Sequence, residues 1–255
     1  MFHSFRSEFL SFEIRNGGTG MDMINIGNIL INNYLLKIPN GYMAIDTGYA
    51  GNFDRFCKGL REKNIELKKI RYIFLTHAHD DHAGFLGELL QATDASAVVH
   101  KDSPQRLQLG HNLSIGGCPT RFAKAVFSCM GIAGKGKHEF PAVNVSGKAL
   151  VWDGNTQPLR ERDIPLDILA LPGHTADSIG LLSDNGDLFC GDAAMSSFPS
   201  SKRVTIWIEN LKDYADSWDS MIHTNATTIY PSHGRPFPVS DLIKFRKFLN
   251  GIKLR

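Results

Sequence analysis

Residues 76–84 read Thr-His-Ala-His-Asp-Asp-His-Ala-Gly, three histidines and two aspartates in nine positions. They follow directly on Ile70–Leu75, an apolar run with the length and bounds of a buried strand. Taken alone, the stretch could be a polar loop in which histidines merely fall together. Its position at the end of an apolar strand gives it more weight, because loops on a rigid scaffold are where side chains from distant sequence can converge.

Outward from that strand the chain alternates between strand and helix patterns. Upstream, Ile29–Ile38 and Tyr42–Ile45 flank Pro39-Asn40-Gly41 and read as a hairpin that ends at Asp46-Thr47-Gly48. Asn52–Lys63 carries apolar residues at 53, 56, 57 and 60, a helical spacing. Downstream, Phe85–Gln91 reads as a helix and Ala97–His100 as a strand. In the second half Ile164–Leu171 is a strand ending at Pro172-Gly173-His174. Ile179–Ser183 and Leu188–Cys190 form a hairpin around Asp184-Asn185-Gly186 and deliver Gly191-Asp192. Leu211–Ile222 reads as a helix, and Thr228–Tyr230 as a strand ending at Pro231-Ser232-His233-Gly234. The alternation predicts an α/β layered domain.

Composition narrows the class further. At 255 residues, with 42% hydrophobic and 21% charged residues, the chain has the make-up of a soluble globular protein that buries a sizeable core. A net charge of +2 gives no reason to expect a nucleic-acid or membrane partner. No run approaches the ~20 apolar residues that span a bilayer, and the first residues lack the apolar segment and cleavage site of a signal peptide. Cys57, Cys118, Cys129 and Cys190 are scattered without a Cys-x-x-Cys pair, so they are read as reduced thiols of a cytoplasmic protein.

Ligand-type residues recur in one setting, the end of an apolar strand: His77, His79, Asp81 and His82, then His174, Asp192 and His233. Seven such residues exceed what one tetrahedral zinc needs, and with one carboxylate shared they would hold two metals. His-Ala-His-Asp-Asp-His, then Gly173-His174-Thr175, Gly191-Asp192 and Ser232-His233-Gly234, in that order, resembles the metallo-β-lactamase-fold hydrolase superfamily over roughly Asn28 to His233. The resemblance implies a four-layer αββα sandwich, a single domain over 1–255, with the metal site at strand ends between its halves. It assigns His77, His79 and His174 to one ion, and Asp81, His82 and His233 to the other, with Asp192 bridging. The ions would be two divalent cations, zinc first, with manganese or iron as alternatives. Asp46 is a candidate acceptor orienting a ligand histidine, with a turn-forming aspartate as the other reading. Asp80 reads as a solvated loop carboxylate, Cys190 as core, and His3, His100, His111, His138 and His223 receive no role.

Two cations lower the pKa of a shared water, so that hydroxide is available near neutral pH. Asp81 is the candidate for proton handling beside it. The expected reaction is hydrolysis of an ester, thioester or lactone. By the same resemblance, Asp192 stands where β-lactamases usually carry Cys or Ser. The helical extension of glyoxalase II-like enzymes has no counterpart in the 22 residues after His233, and Met195 replaces the tyrosine of quorum-sensing lactonases. The alternative from another class is a mononuclear iron, persulfide dioxygenase-like oxidoreductase. A phosphodiesterase or RNA-processing nuclease, and a non-catalytic binding protein, rank below it.

Residues 103–148 read as an irregular, cap-like insertion, glycine-rich and basic. From Lys101 to Lys148 there are seven Lys/Arg against two Asp/Glu, a local field that would attract an anionic small-molecule substrate. Within it, residues 121–130 have the pattern of a short helix. Phe122, Phe127 and Met130 are its candidates to line the site, and Arg121 and Lys124 its candidates to meet a carboxylate or phosphate. A homodimer contact or a merely solvated loop is the other reading of this segment.

Overall fold

Alternation along each strand sends its side chains to two different cores, and that alternation stacks the chain into four layers. In the computed structural model, which describes residues 13–14, 22–130 and 138–255, the first sheet has seven strands in chain order. They are β1 (Glu13–Ile14), β2 (Met23–Asn25), β3 (Tyr34–Ile38), β4 (Gly41–Ile45), β5 (Ile70–Phe74), β6 (Ser96–His100) and β7 (Ala149–Trp152). Strands β1 to β4 pair antiparallel and β4 to β7 parallel. The second sheet comprises β8 (Leu166–Ala170), β9 (Ile179–Ser183), β10 (Asp187–Gly191), β11 (Thr228–Pro231) and β12 (Phe237–Pro238), adjacent in that order. Among the described residues, seven α-helices cover or connect the sheets: α1 (Phe53–Glu62), α2 (Asp80–Ala83), α3 (Leu86–Ala92), α4 (Ser103–Leu109), α5 (Arg121–Met130), α6 (Leu211–His223) and α7 (Ser240–Leu249).

Leu35, Ala44, Ile73 and Val99 face outward from the first sheet onto Phe56 and Leu60 of α1, Leu86 and Leu89 of α3, and Leu107 of α4. Their neighbours Leu36, Met43, Phe74 and Val98 point the other way and meet Ile168, Leu181 and Phe189 between the sheets. On the far side, Leu188, Cys190 and Ile229 pack on Tyr214 and Trp218 of α6 and on Leu242 and Leu249 of α7. This is the αββα sandwich that the motif order implies.

The middle core carries an aromatic cluster. Phe189 stacks on Tyr230 with ring centres 4.9 Å apart and meets Tyr34 edge-on at 5.3 Å. Phe189→Ala should destabilise the fold by about 3–5 kcal/mol, the range for large-to-small changes at buried aromatics. The check is a shifted denaturant midpoint at unchanged slope; a shift corresponding to less than about 1 kcal/mol would mean that the cavity collapses at little cost.

Three elements differ from the sequence reading. The hairpin's first strand begins at Tyr34, not Ile29, because the Asn28 side chain accepts from the Leu30 and Ile31 amides and turns the chain there. Residues 103–148 are less irregular than their glycines imply. Helix α4 forms behind Pro104 and ends at Gly110 in the left-handed region. Strand β7, which follows the insertion, closes the parallel edge of the first sheet. No helix among the described residues is long and apolar enough to cross a membrane, and none of the four cysteines is paired.

Candidate metal centre

Each ligand-type side chain follows the C-terminal end of a strand, and the two sheets bring those ends together. His77 and His79 lie between β5 and α2, Asp81 and His82 on α2, His174 after β8, Asp192 after β10 and His233 after β11. Two glycines permit this convergence. A Cβ on Gly173, which has φ +127°, would run into the Tyr214 backbone, and one on Gly191, with φ +56°, would meet the Thr76 side chain at 2.7 Å.

Three nitrogens form the first group. His174 Nε2 is 3.1 Å from His77 Nε2 and 3.1 Å from His79 Nδ1. The edge between nitrogens of a tetrahedral zinc site is about 3.3 Å for bonds of 2.0–2.1 Å. His174 Nδ1 donates to the Trp207 carbonyl at 2.8 Å, and His77 Nδ1 to the Thr76 hydroxyl at 3.1 Å, so in both rings Nε2 presents its lone pair inward. Burial, and then the neighbouring imidazoles, push the pKa values of His77 and His79 well below the usual histidine value. Converging lone pairs on neutral rings are a cation's environment.

The second group is acidic. His82 Nε2 lies 3.5 Å from Asp81 Oδ1 and 3.7 Å from Asp192 Oδ1; His233 Nε2 lies 3.1 Å from Asp81 Oδ2 and 3.5 Å from Asp192 Oδ1. The far nitrogens are again engaged: His82 Nδ1 donates to Asp46 at 2.8 Å, and His233 Nδ1 to the Leu30 carbonyl at 2.6 Å. Burial works against a charge on these rings. Even so, Asp81, Asp46 and Asp192 hold His82 up to about 10, and Asp192 and Asp81 hold His233 up to about 9. Burial likewise opposes the Asp81 carboxylate, but His82 and His233 keep its pKa far below the ordinary value. His82 Nε2 and Asp192 Oδ1 are buried without a hydrogen-bond partner, a state that native structures rarely tolerate without an ion or water to meet it.

Asp192 faces both groups. Its Oδ2 is 3.8 Å from His174 Nε2, while Oδ1 is turned to His82 and His233. Among the described residues, ligand atoms within 4.8 Å of one another form three metal-capable sets: His77–His79–His174, His77–His82–Asp192 and Asp81–His82–His233. The residues present fit two cations with a shared carboxylate.

Asp46 hydrogen-bonds a candidate ligand histidine. Its carboxylate accepts from His82 Nδ1, the Thr76 amide and hydroxyl, and the Ser232 hydroxyl at 3.0 Å. If Asp81, His82 and His233 hold an ion, Asp46→Ala should weaken it by about 10–100-fold. Chelator competition reads this directly, and unchanged affinity would reduce Asp46 to a turn residue.

Asp80 is not a solvated carboxylate. Its side chain accepts from Asn112 Nδ2 at 2.7 Å and its amide donates to Asn112 Oδ1 at 2.9 Å; His138 Nδ1 stands 3.5 Å from its other oxygen. That pairing, given no weight in the sequence, latches the insertion to the histidine-rich loop and raises the His138 pKa. Asp177 is equally hidden from sequence. Fully buried, it accepts from the Ala78 amide between His77 and His79 and from the Ser103 hydroxyl, with Arg106 Nε at 3.5 Å. Arg106 forks onto Glu209, whose amide in turn holds the His174 carbonyl.

Of the residues expected to line the site, Phe127 stacks on Trp207, whose carbonyl holds His174, at 5.0 Å and on His138, which stands beside Asp80, at 5.2 Å. Phe122 meets Phe198 edge-on at 5.6 Å. Arg121 and Lys124 stand exposed on α5, and among the described residues no bond ties their side chains to the centre. The Met130 side chain, like His3, lies outside the described residues.

The family model of the metallo-beta-lactamase superfamily matches residues 26–233. A beta-lactamase-like protein 2 homolog of Caenorhabditis elegans is 28% identical over 214 residues, which cover 83% of this chain and 57% of that protein. A hydroxyacylglutathione hydrolase of Cupriavidus taiwanensis is 28% identical over 179 residues, 65% of this chain and 50% of that protein. The chain thus spans about half the length of these curated relatives. Among solved structures, a metallo-beta-lactamase from Cronobacter sakazakii superposes with a TM-score of 0.65 at 18% identity over 94% of both chains. A beta-lactamase from Chitinophaga pinensis does so at 0.63 and 20% identity over 98% and 97%. At such identities the structures speak for the fold, and the family match speaks for descent. Fold, motif order and converging side chains agree: the chain belongs to the metallo-beta-lactamase superfamily.

Proposed function

We propose that the chain is a dinuclear metal-dependent hydrolase acting on an ester, thioester or lactone. The observation that carries this reading is Asp192, whose two oxygens face two separate ligand groups. His77, His79 and His174 would hold one ion, and Asp81, His82 and His233 the other. Two bound cations supply Lewis acidity and a water acidic enough to serve as nucleophile near neutral pH.

The chain's own contribution is position and proton handling. The Trp207 and Leu30 carbonyls and the Asp46 carboxylate fix three imidazoles in the tautomer that points Nε2 inward. Asp81 offers oxygens toward both His82 and His233, and the oxygen left free of a cation accepts the nucleophile's proton. Arg121 and Lys124, exposed on α5, are available to an anionic group of the substrate. The hydroxyacylglutathione hydrolase among the relatives places thioesters in the first set of compounds to try.

The test is elemental analysis of protein purified without chelator, followed by a screen of esters, thioesters, lactones and phosphodiesters. Two zinc or manganese ions per chain with hydrolysis support the reading. One iron with oxygen consumption would replace it with the oxidoreductase alternative, and protein without metal affinity would end it.

A further inference from the structure

The three rings of the first nitrogen group are not held alike. His77 and His174 each have the far ring nitrogen fixed, by the Thr76 hydroxyl and by the Trp207 carbonyl. His79 has no such tie. Its Nδ1 is the atom turned to His174, and its Nε2 is buried with no hydrogen-bond partner among the described residues. A ligand ring takes its direction from an outer partner, so the aim of His79 falls to the backbone around it.

That backbone is gripped by one buried charged network. Asp177, with a side chain wholly out of solvent, accepts from the Ala78 amide at 3.0 Å and from the Ser103 hydroxyl at 2.8 Å. Its other oxygen has no hydrogen bond among the described residues and faces Arg106 Nε at 3.5 Å. Arg106 forks onto both oxygens of Glu209 at 2.8 and 2.9 Å. Glu209 then reaches the third ligand in two ways: Oε2 accepts from the Ala176 amide at 2.9 Å, and its own amide donates to the His174 carbonyl at 3.2 Å. Ala78 lies between His77 and His79, and Ala176 two residues beyond His174. One set of three charges thus fixes the chain beside all three ligands.

Ser103 and Arg106 stand three apart on α4 and share a face, while Leu107 sits in the outer core. Apolar packing therefore already docks the helix. A buried ion pair adds little stability over apolar residues of the same size, and a buried oxygen without a donor detracts from it. What the charges supply is direction, because the Asp177 carboxylate dictates where the Ala78 amide points. They also sum to −1, a field that favours a cation beside three neutral rings.

We propose that Asp177, backed by Arg106 and Glu209, is the positioning residue of the His77–His79–His174 cation site, which makes α4 of the insertion a part of that site. The proposal rests on the two-cation reading of the centre, not on the reaction performed there.

The test follows cadmium binding to the metal-stripped full chain by cadmium NMR, in which nitrogen-rich and oxygen-rich sites give separate signals, and by chelator competition. Asp177→Ala should weaken the ion of the His77–His79–His174 group by about 10–100-fold and leave the other in place. Asp177→Asn keeps an acceptor for the Ala78 amide and should recover part of the loss. Asp46→Ala should give the opposite pattern, weakening the ion of Asp81, His82 and His233. Glu209→Gln keeps the shape of the fork without its charge and should weaken the nitrogen-group ion by a smaller factor; it decides the matter should Asp177→Ala not fold. Asp219→Asn, which breaks an ion pair with Arg246 between α6 and α7, should change neither ion.

Folded variants at Asp177 and Glu209 that keep the nitrogen-group signal and affinity overturn the proposal. So does equal weakening of both ions, the mark of a loosened fold. A chain that binds no cadmium overturns it together with the dinuclear reading. Crossed losses from Asp177 and Asp46 in a chain that hydrolyses nothing would sustain it and sink only the hydrolase assignment.

Discussion

Asp192→Ala should bring bound metal below two ions per chain and lower turnover of the best substrate by at least about 10²-fold. The residue follows β10, whose Leu188 and Cys190 are locked into the α6–α7 core, so the carboxylate is presented from a rigid element. Its Oδ2 is directed at the histidine group and Oδ1 at the carboxylate group. Removing the side chain therefore damages both sites, whereas His79→Ala or His233→Ala removes a ligand from one. Loss of a mere outer partner of a metal ligand costs about 10–100-fold in affinity or activity, which sets a floor for loss of the shared carboxylate itself. Asp192→Asn separates charge from shape: it keeps one oxygen and the volume, yet should bind the pair of ions almost as poorly. Elemental analysis and kcat/KM on the same preparation provide the check. A variant that retains both ions and full turnover would remove Asp192 from the centre altogether.

How far the site can be read from sequence depends on which part of a residue does the work. His77, His79, Asp81, His82, His174, Asp192 and His233 converge through side chains whose types are distinctive, and each follows an apolar strand, so they stand out in the chain. The partners that aim them mostly do not. Trp207 and Leu30 act through backbone carbonyls, and any residue has one. Asp177 reaches Ala78 across 99 positions, and Asn112 reaches Asp80 across 32, pairings that only the folded layers create. Asp46 lies between these cases: the Asp-Thr-Gly turn marks it, but only its four donors decide that it orients His82.

The fold follows the same division. The buried strands announce themselves by continuous apolar runs with turns at both ends. Ile29 and Leu30 imitate such a run and are instead exposed beside the centre, because Asn28 turns the backbone and Asn32 ties it to the carbonyls of Pro231 and Gly234. Helix α4 carried readable signals in Pro104 and Gly110, outweighed by the glycine-rich composition around them. An apolar run that the fold leaves exposed rather than buried is what pattern reading misplaces.

Acidification should release the two ions in sequence, the one held by Asp81, His82 and His233 first. Without metal, His82 at about 10 and His233 at about 9 both carry a proton at neutral pH, held there against burial by the surrounding carboxylates. A cation can enter that group only by displacing both protons. Its affinity should then fall about 100-fold for each unit of pH lost below about 9, and uptake at pH 7 should release close to two protons per ion. His77 and His79 have pKa values pushed well below the ordinary 6.5 and have no proton to surrender there, so their ion should vary far less over the same range. The sign reverses for the metal-free chain. His82 and His233 have folded pKa values above their unfolded value of about 6.5, so the stability they contribute is fully present below that pH and is lost as pH rises through 9 to 10. Titration of metal in buffers of different ionisation enthalpy counts the protons, and chelator competition between pH 6 and 8 gives the slopes. Equal slopes for the two ions, or uptake of the second without proton release, would show that the acidic group does not bind its cation in place of those protons.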